Sequence, residues 1–163
     1  MVFALFVLFV LLLRLGELLL ARRNERWLLA RGAVEYGRRH YPCIVLLHVL
    51  FFVSLVTEYV LTPEKGYSIP LLVLYFLLLG FKAWTVFSLG KFWNTRIYRI
   101  PDCPLVKKGP YRFMKHPNYV IVIAEITLIP LIFHLYFTAI VFSLLNALML
   151  FVRIRVENRA LKL

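Results

Sequence analysis

Residues 119–152 read YVIVIAEITLIPLIFHLYFTAIVFSLLNALMLFV. A helix needs about 20 residues to cross the hydrocarbon layer of a bilayer. This run of 34 is too long for one ordinary span and suits a hairpin. Pro130 and His134 interrupt it near the middle. They predict two helices over 119–133 and 135–152 with a turn at 133–134. The first arm is short for a full crossing, so the hairpin is expected to be shallow or tilted.

Upstream lie three more apolar stretches, 2–20, Tyr41–Leu61 and Ile69–Leu89. Across all 163 residues, 62% are hydrophobic and 17% charged. A soluble domain is about half apolar and about a quarter charged. The composition therefore excludes a small soluble domain and predicts one all-α integral membrane domain. It is a bundle of about five transmembrane helices whose last two form a hairpin. No G-x-G-x-x-G follows a strand-like run, so no Rossmann domain is expected. The first stretch reads as a span rather than a signal peptide. It lacks a basic leader and a small-x-small cleavage site, and Arg14 and Glu17 interrupt it.

Lys plus Arg outnumber Asp plus Glu by 20 to 8. All of these cations except Arg14, Lys65 and Lys82 fall in three segments. These are the 21–40 loop, the 90–118 loop and the tail from Arg153 to Lys162. The intervening connections, 62–68 and 133–134, are nearly free of them. Such alternation follows the positive-inside rule. It predicts an outer N-terminus and an inner tail, and it assigns the basic excess to topology and anionic lipid rather than nucleic acid. Cys43 and Cys103 then lie near the inner, reducing face, and no disulfide is expected. The histidines are scattered, and nothing supports a metal site.

Ionisable groups within spans are functional candidates by default. Arg14 and Glu17, three apart, can pair on one helix face. His48 reads as a packing histidine, a ligand or a proton carrier. Glu58 sits near the outer end of its span and reaches for water. Lys82 can snorkel. Glu125 must face the bundle interior or a cavity, either paired with a Lys or Arg or in a functional role. Arg153 and Glu157 share a helix face. They form either a terminal ion pair or a hook for an anion.

The segment 104–119, PLVKKGPYRFMKHPNY, opens directly into the hairpin. Pro117 suits the first turn of a helix, whose free amides favour an anionic group. Gly109-Pro110 permits a tight turn near a ligand, and Tyr111 and Tyr119 offer flat faces for a ring or a cation.

These residues resemble the isoprenylcysteine carboxyl methyltransferase family, integral membrane enzymes that use S-adenosylmethionine. The family signature runs approximately LV-x-x-G-x-Y-x-x-x-R-H-P-x-Y. Leu105, Val106, Gly109, Tyr111, His116, Pro117 and Tyr119 match it in register. Beyond the hairpin, the family's R-I-x-x-E-E-x-x-L is matched by Arg153, Ile154, Glu157 and Leu161. The resemblance covers roughly residues 85–163, and the 31–42 region looks like a bacterial branch. Three features depart from the pattern. Lys115 stands for the usual arginine, Asn158 for the second glutamate, and the chain stops at Leu163 where the family continues with an aromatic-rich tail.

The resemblance implies that the seven residues of the first motif hold S-adenosylmethionine. It places Arg153 and Glu157 at the reacting end, Arg153 holding the acceptor's anion. The expected activity is O-methyl transfer to a lipophilic acceptor at the cytoplasmic face of a bacterial membrane. That acceptor is a small molecule or a lipidated group, either a prenylcysteine-type carboxylate or the hydroxyl of a polyketide or phenolic lipid. A carboxylate is already ionised and needs no base; a hydroxyl needs one, and Glu157 or His116 would serve. A small transporter using Glu125, His48 and Lys82, or a non-catalytic membrane scaffold, are the alternatives. The sequence leaves the oligomeric state open.

Overall fold

The computed structural model describes residues 1–161; Lys162, counted above among the tail's cations, lies outside them. Five helices form in chain order: α1 (Val2–Leu29), α2 (Tyr41–Leu61), α3 (Ile69–Leu89), α4 (Pro117–Ile132) and α5 (Tyr136–Leu161). All but α4 are long and apolar enough to cross a membrane. The 16 residues of α4 span about 24 Å at 1.5 Å per residue, less than the hydrocarbon thickness. The all-α class and the closing hairpin are as the sequence predicts.

Two helices outrun their apolar stretches. α1 continues past residue 20 to Leu29 and α5 past 152 to Leu161, because the charged continuations are rich in Leu, Ala and Arg, all good helix formers. α5 thereby carries Arg153 and Glu157 past its apolar run on a continuous helix. A further addition is a two-stranded antiparallel sheet, β1 (Val34–Tyr36) with β2 (Ile97–Arg99), in which Glu35 faces Tyr98. It joins two of the basic connections.

The hairpin turn falls where Pro130 and His134 predict it. His134 adopts the left-handed conformation at φ 58°, and the Phe133 and Leu135 amides both donate to the Pro130 carbonyl, each at 3.0 Å. Glu58 does more than reach water. Its carboxylate accepts from the Phe137 and Thr138 amides at 3.0 and 2.7 Å, filling two of the free donors at the start of α5.

Between the helices, Phe3, Phe6 and Val10 of α1 pack with Phe51 and Leu55 of α2, Tyr75 of α3, Ile126 and Ile129 of α4, and Phe142 of α5. Outward leucines such as Leu5 and Leu148 stay 59% and 68% exposed, the surface expected of a helix that faces lipid.

Four charged groups lie within this bundle. Arg14 bonds Glu17 at 2.9 Å and Glu125 at 2.7 Å. Lys82 bonds Glu125 at 2.9 Å and also Glu17. Two cations thus meet two anions, tying α1, α3 and α4 together. Lys82 does not snorkel; it is 6% exposed and faces its partners. Burying one such charge alone in hydrocarbon is expensive, and a neutral quartet removes most of that penalty. His48 donates from Nδ1 to the Ile44 carbonyl at 2.8 Å, as a packing histidine does.

The connections sort to opposite ends. At one end the Ser68 amide donates to the Ile132 carbonyl at 2.8 Å, joining the 62–68 loop to the hairpin turn. At the other end meet β1, β2, the 104–116 loop, the start of α4 and the last turns of α5.

Candidate functional site

The segment KFWNTRIYR, 91–99, leaves α3 and turns back beneath α1. α1 holds it in place. The Asn24 side chain, buried, donates to the carbonyls of Trp93 at 2.7 Å and Gly90 at 3.2 Å. Asn94 reciprocates by donating to the Ala21 carbonyl at 2.9 Å. Further along, Arg96 bonds Glu35 of β1 at 3.2 Å and lies over the Tyr41 ring. Tyr98 donates to Glu25 of α1, and burial together with that carboxylate pushes its phenol up to about 12.

Gly109 begins the tight turn that the sequence predicts, at φ 53°. A Cβ there would collide with Ser88 Oγ of α3, so glycine lets the loop lie directly on that helix. Pro117 takes the first position of α4 and is buried.

Between the 89–100 segment, the 104–107 stretch, the start of α4 and the end of α5 lies a cleft of about 350 Å³. Of the residues singled out from the sequence, Leu105, Val106, Tyr111, His116, Tyr119, Arg153 and Glu157 line it. Gly109 and Pro117 shape the backbone behind it and are not among the lining residues. Two motifs separated by a whole hairpin thus converge on one cavity.

Arg153 and Glu157 do not pair directly among the described residues. Arg153, 9% exposed, donates from Nε to the Tyr119 hydroxyl at 3.0 Å and from Nη2 to the Thr95 carbonyl at 2.5 Å. The Tyr119 hydroxyl in turn donates to Glu157. His116 stacks on the Tyr119 ring and donates from Nε2 to the Asn158 side-chain oxygen at 2.9 Å. Its Nδ1 stands 3.6 Å from Glu157. That carboxylate, with the Asn158 bond, raises the imidazole above its usual pKa against the opposing effects of burial and Lys115. Burial, reinforced by Glu157, likewise raises the Tyr111 phenol.

Charge in the cleft is one-sided. Arg96, Arg99, Lys107, Lys115 and Arg153 line it, against Glu157 as the single acidic lining residue among those described. Such a cleft attracts an anionic group. Leu89, Phe92, Ile97, Leu105 and Val106 supply an apolar face.

The sequence points to the 90–118 loop as a whole for the cofactor but singles out no residue of the 89–100 wall. The interleaving of aromatics and cations in 91–99 was its only local signal, and the clamp from Asn24 lies some 70 positions away. Asn158, noted as a departure, holds His116 with a neutral oxygen where a glutamate would bring a second charge.

Residues 70–163 match the isoprenylcysteine carboxyl methyltransferase (ICMT) family. An uncharacterized protein of Bacillus subtilis, YpbQ, is 45% identical over 153 residues, covering 91% of this chain and 90% of that protein. An uncharacterized protein of Haemophilus influenzae is 28% identical over 156 residues, covering 93% and 90%. No solved structure matches the chain. With four apolar helices long enough to cross a bilayer and this match over its C-terminal half and more, the chain is an integral membrane protein that belongs to the isoprenylcysteine carboxyl methyltransferase family.

Proposed function

We propose that this protein is an S-adenosylmethionine-dependent O-methyltransferase that acts on a lipophilic acceptor at the cytoplasmic face of a bacterial membrane. The carrying observation is the convergence of Tyr119, Arg153 and Glu157 on one hydroxyl inside the cleft.

The residues present fit the cofactor. An apolar wall suits a flat adenine, and a surplus of donors suits its carboxylate. Two buried nitrogens of lining residues, Trp93 Nε1 and His116 Nδ1, have no hydrogen-bond partner among the described residues. Leu105, Val106, Tyr111, His116 and Tyr119 would hold it, with Gly109 and Pro117 setting the loop. When bound, S-adenosylmethionine supplies an activated methyl carbon, which takes an oxygen lone pair while the carbon–sulfur bond breaks and its electrons stay on sulfur.

The chain's part is alignment and exclusion of water. Arg153 sits on the last span's rigid extension and is fixed by Tyr119 and Thr95, so its charge is preorganised for an acceptor anion. Glu157 and His116 form the one acid–base pair in the cleft, available if the acceptor is a hydroxyl. A lipid acceptor enters sideways between helices and the polar cofactor from the aqueous end. The pairing of Glu125 with Arg14 and Lys82 gives those groups a packing role, which favours an enzyme over an ion path.

Calorimetric titration of the purified protein with S-adenosylmethionine, wild type against His116→Ala, tests this reading. Saturable binding weakened in the variant supports it; no binding by folded protein in detergent and in lipid overturns it. Alkali treatment of the methylated product then separates an ester, which is cleaved, from an ether, which survives.

A further inference from the structure

Residues 103–124 contain no Asp or Glu, yet Lys107, Lys108, Arg112 and Lys115 follow one another closely within them. These cations divide by side. Lys107 and Lys115 line the cleft with Tyr111 midway between them, whereas Lys108, Arg112, Phe113 and Met114 do not. All four of the latter are exposed, and Phe113 leaves 77% of its surface bare. Lys108 and Arg112 meet no carboxylate among the described residues.

The turn that presents them is fixed. The Tyr111 amide donates to the Lys108 carbonyl, and the Phe113 and Met114 amides both donate to the Pro110 carbonyl, each at 3.1 Å. The turn also lies alongside a membrane span rather than beyond it. A Cβ at Gly109 would stand 3.0 Å from Trp84 Nε1 of α3 as well as striking Ser88. Trp84 precedes the last residue of that helix, Leu89, by five positions, about 7.5 Å along the axis. Trp84 and Phe87 are themselves exposed on α3, at 51% and 81%. The turn therefore folds back to the level of exposed aromatics near a span's end, where side chains meet lipid headgroups. An apolar pair flanked by unpaired cations at that level matches the boundary of a bilayer. Phe113 and Met114 suit acyl chains, and the cations suit phosphate.

We propose that the 108–114 turn binds an anionic phospholipid, with Phe113 and Met114 inserted among acyl chains and Lys108 and Arg112 on the phosphate. The inference does not depend on the methyltransferase reading. Because Tyr111 lines the cleft from the same turn, a lipid held here braces one wall of the cleft from outside.

Fluorescence quenching of the full chain reconstituted in vesicles tests this. The chain has three tryptophans. Trp27→Phe and Trp84→Phe leave buried Trp93 as a constant background, the second keeping a ring against Gly109. Phe113→Trp then adds a reporter at the exposed position. The vesicles mix phosphatidylcholine and phosphatidylglycerol, with brominated acyl chains on one lipid or the other. The reporter is expected to be quenched by bromine and hardly by aqueous acrylamide. Brominated phosphatidylglycerol should act at a mole fraction about fivefold lower for each cation that reaches the headgroup. Lys108→Gln with Arg112→Gln should erase that preference while bromine still quenches. A reporter open to acrylamide and untouched by bromine overturns the proposal. Equal quenching by both lipids overturns it too. So does a preference that survives the double substitution, which would mean a general attraction to the basic end of the bundle. Loss of the preference in excess inorganic phosphate at constant ionic strength would assign the cations to a soluble anion and equally overturn it.

Discussion

Arg153 and Glu157, one helical turn apart on α5, meet at a single atom, the hydroxyl of Tyr119 on α4. The cation and the carboxylate are thereby kept separate yet fixed relative to each other. A direct ion pair would cancel both charges. The bridging hydroxyl leaves Arg153 its positive field and Glu157 an open oxygen toward His116.

Tyr119→Phe removes that bridge and nothing else of the ring. Two hydrogen bonds to charged groups are lost, each worth about 1.5–3 kcal/mol. Methyl transfer is expected to fall about a hundredfold, measured as labelled methyl incorporated into extracted lipid, while His116 still stacks on the phenyl ring. A rate within twofold of wild type would remove the bridge from the mechanism.

His116 makes stability depend on pH. Its folded pKa is raised by Glu157 and by the Asn158 bond, with Lys115 and burial opposing. A group raised in the folded state stabilises fully below its unfolded value, near 6.5, and that contribution is lost as pH rises through the higher folded value. Thermal midpoints in detergent should therefore fall across that window, and His116→Gln should flatten the fall. An identical pH profile in the variant would show that another group is responsible.

Glu125→Gln leaves Arg14 and Lys82 facing Glu17 alone. Breaking a buried ion network by removing one partner costs about 3–5 kcal/mol. Replacing Lys82 and Glu125 together by Met keeps the remaining Arg14–Glu17 pair neutral and should cost much less. Unfolding in mixed micelles compares the two; equal losses would mean that volume rather than charge governs the site.

Asn24→Ala frees the Trp93 and Gly90 carbonyls and loosens the 89–100 wall. The expected effect is about a tenfold loss of S-adenosylmethionine affinity, the worth of one hydrogen bond, with a small change in melting temperature. Calorimetry on the variant checks it. Full affinity would show that the wall is held by β2 and Arg153 without help from α1.

The membrane helices were legible because hydropathy and length report directly on crossing a bilayer. The hairpin turn was legible from Pro130 and His134, which break a helix locally. Arg14 with Glu17 could be paired because helix spacing fixes neighbours three apart. Lys82 could not be assigned to Glu125, 43 positions on, and its length suggested snorkelling. The β1–β2 pairing was hidden for a similar reason. Three residues such as 34–36 carry too little periodicity to read, and their partners lie across two spans. The cleft was half legible. Its α4–α5 side followed from two motifs, whereas the Trp93 side depends on contacts from α1 that no local pattern encodes.

The charged quartet also constrains how the chain is made. Arg14 and Glu17 enter the bilayer first and can neutralise each other while they wait. Lys82 and Glu125 emerge later, on α3 and α4, and each finds its full set of partners only after α1 is in place beside them. The stretch that carries the family signature, 70–163, contains Lys82 and Glu125 but neither Arg14 nor Glu17. The first helix therefore supplies one cation and one anion of the four. A bundle whose first helix is missing, rotated or inserted in the reverse sense leaves Lys82 and Glu125 without Arg14 and Glu17 beside them, half-matched in hydrocarbon.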